Sequence, residues 1–120
     1  MLVWLLALSS VHANDLDVDC TDPLNQAEML YCATRRNERT EALMNRLIDM
    51  ISSESDTEGK RKLKNGQSAW LQYRELNCLW QGDKYRSHDT KAQTEAMECQ
   101  AQTTSERVEE LQGWLAKIGK

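Results

Sequence analysis

Along this chain, apolar residues recur at helical spacing in three separate stretches. The first runs Met29, Ala33, Arg36, Thr40, Leu43, Leu47, Met50, apolar at both ends and polar in the middle. It closes in SSESDTEG, a Ser-, Asp- and Gly-containing loop. The second runs Leu63, Gln67, Trp70, Arg74, Asn77 and ends near QGDKYRSHD, where Gly82 suits a C-terminal cap. The third runs Met97, Ala101, Thr104, Val108, Leu111, Leu115, Ile118. Ahead of the first, the acidic arm NDLDVDC leads into TDP, which reads as a helix start. Thr21 or Asp22 is the expected N-cap and Pro23 the first helical residue. No stretch alternates with period two, so strands are not expected. Three helices with short links predict an all-α fold, a small antiparallel three-helix bundle.

The N-terminal MLVWLLALSSVHA contains no Asp, Glu, Lys or Arg. Its apolar run, Leu2 to Leu8, is too short to span a bilayer. Val11 and Ala13 are the small residues that signal peptidase requires before its cleavage point. Residues 1–13 are therefore expected to be a signal peptide and 14–120 one domain, periplasmic or secreted, with no integral membrane span after cleavage. The positive charge that normally precedes the apolar run falls to the α-amino group of Met1, or the true start lies upstream. The alternative is an apolar first element of the fold itself.

All four Cys, at 20, 32, 78 and 99, follow that cleavage point. In a small exported chain an even count reads as two disulfides. Gaps of 12, 46 and 21 residues argue against a zinc site, which brings ligands close in pairs. The LDVD before Cys20 lacks the small and apolar residues that lipidation needs. If the first two helices fold back around residue 55, residues equidistant from it lie opposite each other. Cys32 and Cys78 are equidistant from it. Cys99 points away from its own seam, and Cys20 rides on the arm. The expected pairs are thus Cys32–Cys78 and Cys20–Cys99, the other two connectivities remaining open. Such crosslinks, worth about 2–4 kcal/mol each, would support so small a core.

Charge narrows the function. A net charge of −4, from 15 basic and 19 acidic residues, disfavours nucleic acid and anionic membrane as partners. The single basic run, KRKLK at 60–64, reads as a solvated helix face that would at most touch an anionic envelope component. No nucleotide-binding, zinc-protease or nucleophile-elbow motif occurs, so neither an enzyme nor a cofactor is expected. His88, beside Ser87 and Asp89, lacks a constellation around it and reads as a loop residue before a helix capped by Asp89 or Thr90.

Trp70 and Arg74 are one turn apart. They make either a recognition patch or part of the inner face. Their shared seam with Leu63 favours the inner face. Trp70 would then plug the core and Arg74 would pair with a carboxylate such as Glu41, with Arg36 and Arg107 joining the same polar layer. The loop 81–90, with Asp83, Tyr85, His88 and Asp89, is either a partner-contact surface or an ordinary connector.

The spacing Gln67-x-x-Trp70-x-x-Tyr73-Arg74-Glu75-x-x-Cys78 resembles the signature of the LprI-like lysozyme-inhibitor N-terminal domain family, small exported bacterial proteins. The resemblance extends to QAEMLYCA, Gln26 to Ala33, and to Cys99-x4-Thr104-x-x-Arg107-x3-Leu111. It also extends to Glu41-x-x-Met44-Asn45, where the family more often has Asp and Leu at the first two positions. It spans residues 20–111, nearly all of the expected mature chain. It implies a helical, disulfide-linked, exported domain and, as the partner, a lysozyme-type muramidase that the domain binds and inhibits. The mild acidity suits that partner, since many lysozymes are basic. The alternative is a structural or stress-related envelope protein with another partner. Nothing in the residues indicates the oligomeric state.

Overall fold

The computed structural model describes residues 17–83 and 90–119. They form three helices, α1 (Gln26–Ser53), α2 (Thr57–Asp83) and α3 (Thr90–Ile118), and no strand among the described residues. The expected signal peptide, and Tyr85, His88 and Asp89 of the expected contact loop, lie outside the described residues.

α1 begins later than the TDP motif suggests. The Asp19 carboxylate accepts hydrogen bonds from both the hydroxyl (2.6 Å) and the N–H (2.9 Å) of Thr21. These bonds tie residues 19–22 into a turn and hold Asp19's carboxyl below its ordinary pKa. The N-cap is instead Asn25, whose side chain accepts from the N–H of Glu28 at 2.9 Å. Glu28 reaches back to the N–H of Leu24 at 2.8 Å, a reciprocal pair that satisfies two otherwise unpaired donors. α1 and α2 meet at a short link. There Ser55 Oγ donates to the carbonyl of Ile51 (2.7 Å), and the Asp56 carboxylate caps α2 through the N–H of Gly59 (2.7 Å).

The helices run up, down and up. Met44, Leu47 and Ile51 of α1 meet Val108 and Leu111 of α3, with Ile48, Leu63, Trp70 and Leu115 packed around them. Nearer the other end, the Asn37 side-chain amide donates to Gln100 Oε1 (3.2 Å) and Arg36 donates to Gln102 Oε1 (3.1 Å). Residue numbers rise together on both helices, so α1 and α3 are parallel. α2 is antiparallel to both. α1 packs far more extensively on α3 than on α2.

That preference rotates α1 relative to the sequence reading. Its buried face is Ala33, Asn37, Met44, Leu47 and Ile51, while Met29, Leu43 and Met50 of the expected seam stay substantially exposed. Two apolar rows about 100° apart compete on α1, and the one facing α3 wins. The seams of α2 and α3 do lie inward, except that Ile118 at the end of α3 is exposed.

The same packing overturns the expected Cys32–Cys78 and Cys20–Cys99 disulfides. The bonds are Cys20–Cys32 and Cys78–Cys99, with Cα separations of 5.5 and 5.6 Å. The expectation assumed that α1 and α2 stay paired out to Cys32 and Cys78. Instead the far half of α2 lies on α3, and there Cys78 meets Cys99. A helix touching two neighbours needs a wider inner arc than a single seam. Cys99 sits on the α2-facing edge of that arc, not outside it. Cys32 is left to the arm, where Cys20 is only 12 residues away.

Candidate functional site

Four side chains form a ladder that runs from the bundle interior out to the exposed Trp114. The Arg74 guanidinium lies 5.4 Å from the Trp70 ring centre, and that of Arg107 lies 5.6 Å from the same ring. Arg107 also lies 4.9 Å from the ring of Trp114. The helical spacing puts Trp70 and Arg74 one turn apart on α2, and Arg107 two turns before Trp114 on α3. Cationic guanidiniums against aromatic faces are favourable, more so away from water.

Each guanidinium is also hydrogen-bonded. Arg74 donates to Thr104 Oγ1 (3.0 Å) and to Glu41 Oε1 (3.2 Å), joining all three helices. Arg107, only 8% exposed, donates from Nε and Nη2 to Gln67 Oε1 at 3.2 and 3.1 Å. Its Nη1 pairs with Glu110. The structure thus brings Trp70, Arg74, Glu41 and Arg107 into one layer. The guanidiniums carry fixed charge, so they are poor proton donors or acceptors in a reaction, and their polar partners are internal. The arrangement clamps helices together. Arg36 stands apart from this layer, exposed and bonded to Gln102.

The opposite face of α2 has a different character. Tyr73, Leu76, Leu79 and Trp80 remain 59%, 59%, 56% and 68% exposed. Ala69, Tyr73, Leu76 and Trp80 recur by four, three and four, so they form one stripe. Scattered apolar side chains on a surface are ordinary, but a contiguous aromatic and leucine stripe marks a contact surface. Trp and Tyr are also the residue types that anchor interfaces most often. The stripe ends near Asp83, the last residue of α2, so residues 81–83 of the expected contact loop 81–90 are helical instead.

A family model for the lysozyme inhibitor LprI matches residues 20–111. The chain belongs to the LprI family. Comparison with curated proteins and with solved structures finds no match. The LprI match spans both disulfides and the whole Arg–Trp ladder apart from Trp114. Within the LprI-like spacing on α2, Gln67, Trp70, Arg74 and Cys78 face inward, whereas Tyr73 and Glu75 face out. The signature of the LprI domain is therefore mostly its interior.

The outer stripe escaped the sequence reading of this LprI chain because Leu63 had already drawn attention to the inner seam. The signal was present. Tyr73, Leu76 and Trp80 keep helical period on the far side, and Leu79 widens the row. Among the described residues, no helix is long and apolar enough to cross a membrane, and no group of three or more His, Cys, Asp and Glu side chains is placed to hold a metal ion.

Proposed function

We propose that the protein is an exported binding module that inhibits a lysozyme-type muramidase by covering it. The observation that carries this reading is the LprI match combined with the solvent-facing stripe Tyr73, Leu76, Leu79 and Trp80. The stripe is the contact face and the Arg–Trp ladder holds α2 rigid behind it. Asp83 and the following Tyr85, His88 and Asp89 are proposed as further contact residues. A rigid platform reduces the ordering cost of association.

Electrostatics support the same partner. The net charge is −4, and α3 exposes Glu98, Glu106, Glu109 and Glu110. A basic muramidase would be drawn in at low ionic strength, with an effect that salt screens. Two disulfides suit an oxidising compartment, periplasmic or extracellular, and residues 1–13 supply the leader for it. The protein does this by binding, without a catalytic step of its own.

The test is lysis of a peptidoglycan suspension by a basic lysozyme with the purified protein in micromolar excess. The expected result is slower lysis, largely relieved in Trp80→Ala. If a capture from periplasmic extract instead returns a partner that is not a muramidase, the reading as a general envelope component takes its place.

A further inference from the structure

A second surface lies at the other end of the molecule, where the N-terminal arm crosses α1. The Cys20–Cys32 bond pins the arm there, and a cavity of about 540 Å³ opens beside it. That volume falls within the ordinary range for small-ligand sites. Val18, Pro23, Met29 and Tyr31 contribute apolar lining. Arg35, Arg36 and Arg39 line it as well, with Glu98 of α3 the one acidic residue of the lining.

The three arginines are poorly neutralised. Arg35 approaches Glu38 only at 3.6 Å, with the Glu38 carboxylate largely in solvent. Arg36 donates to the neutral Gln102. Arg39 makes no ion pair among the described residues. Arg35 and Arg39 are one turn apart, a like-charge spacing that destabilises a helix. In a chain of net charge −4, this concentration of positive charge beside a shaped cavity favours an anionic ligand. Guanidinium forks match the geometry of phosphate oxygens. The lining charge sums to a dication, which suits a phosphate. The apolar lining residues suit a carbon skeleton attached to that phosphate.

We infer that the cavity between the arm and α1 is a binding site for a phosphate-bearing anion. Arg35 and Arg39 hold the phosphate, and Tyr31, Met29 and Pro23 cover the group attached to it. Cys20–Cys32 shapes the site by fixing the arm over α1. The site is separate from the outer face of α2 and does not rest on the muramidase reading.

Calorimetric titration at low ionic strength tests this with two probes, inorganic phosphate and monomeric dihexanoyl phosphatidic acid. The lipid is expected to bind saturably, and inorganic phosphate to compete with it more weakly. R35Q/R39Q should lose at least ~tenfold in affinity, as expected when charge-assisted hydrogen bonds are removed. K62Q/K64Q changes net charge equally on another helix and should bind within about twofold of the parent. Equal affinity for both probes keeps the site and identifies free phosphate as its source. Absence of saturable binding by either probe overturns the inference. So does full affinity in R35Q/R39Q, or an equal loss in K62Q/K64Q. Both arginines lie at the surface, and a far-UV circular dichroism spectrum matching the parent shows that R35Q/R39Q is folded.

Discussion

Arg107 offers the sharpest test of what holds the bundle together. Replacing it with Met keeps the stem and removes the guanidinium. Gln67 Oε1 then loses both of its donors while its residue remains buried. An unsatisfied buried acceptor costs about 1–3 kcal/mol. Loss of the contacts with Trp70 and Trp114 adds roughly 1–2 kcal/mol. Glu110 is half exposed, so its lost ion pair adds less than about 1 kcal/mol. R107M should therefore lose about 3 kcal/mol, a fall in melting temperature of well over ~10 °C for a domain of this size. Q67L should be comparably damaging, because it leaves the guanidinium buried with only Glu110 to pair with. The double variant removes donor and acceptor together, so its loss should fall short of the sum of the two single losses, although the contacts of Arg107 with Trp70 and Trp114 stay lost. Urea unfolding of the four proteins with disulfides intact, followed by far-UV circular dichroism, completes the cycle. A coupling of about 2 kcal/mol is expected. Additivity within ~0.5 kcal/mol would mean that the two side chains do not act as a pair, and the ladder would lose its structural role.

Other consequences can be checked separately. Peptide mapping of the non-reduced protein should return Cys20 joined to Cys32 and Cys78 joined to Cys99, and a Cys32–Cys78 peptide would contradict the packing. Removing either bond by paired Cys→Ser changes should lose about 3 kcal/mol, slightly more for the longer Cys78–Cys99 loop. Met44→Ala should lose about 2–5 kcal/mol because Met44 is fully buried, while Leu43→Ala, on the exposed flank, should lose far less. Equal losses would mean that α1 is not rotated as described. Thr21→Ala should raise the pKa of Asp19 toward its ordinary value in an NMR titration, since the Thr21 hydroxyl is the main cause of its lowering. The sign follows from linkage: a depressed carboxylate favours the fold above its unfolded pKa, and that contribution disappears as pH falls through the folded one. An unshifted titration would remove the turn at residues 19–22.

Most of the architecture is legible in the periodicity. The α2 and α3 seams, the short link before Thr57 and the inward Trp70–Arg74 pair all follow from spacing. The expected disulfides and the expected face of α1 fail for one cause, the treatment of each helix as having a single inner line. In a three-helix bundle each helix meets two others. Cys99 and Arg107 sit on the α2-facing edge of α3, while Val108 packs with the buried residues of α1. On α1 the single-line view selected Leu43 and Met50 where Met44 and Ile51 are buried. The start of α1 was misplaced because Asp19 competes locally for Thr21, and capping preferences do not register that competition. The outer stripe of α2 was hidden by its better-known neighbours. Tyr73 and Cys78 belong to the same motif, yet one faces solvent and the other the core.

The central claim is that the outer face of α2 covers a muramidase. The most direct measurement is the rate at which a basic lysozyme clears a peptidoglycan suspension at low salt, with the parent protein and with Trp80→Ala added in turn. Trp80 is 68% exposed, so its truncation should leave the fold intact and weaken binding by about 2 kcal/mol or more if it is an anchor. Slow clearance with the parent and near-normal clearance with Trp80→Ala is the predicted result. Clearance unaffected by the parent, or slowed equally by both proteins, would contradict the account.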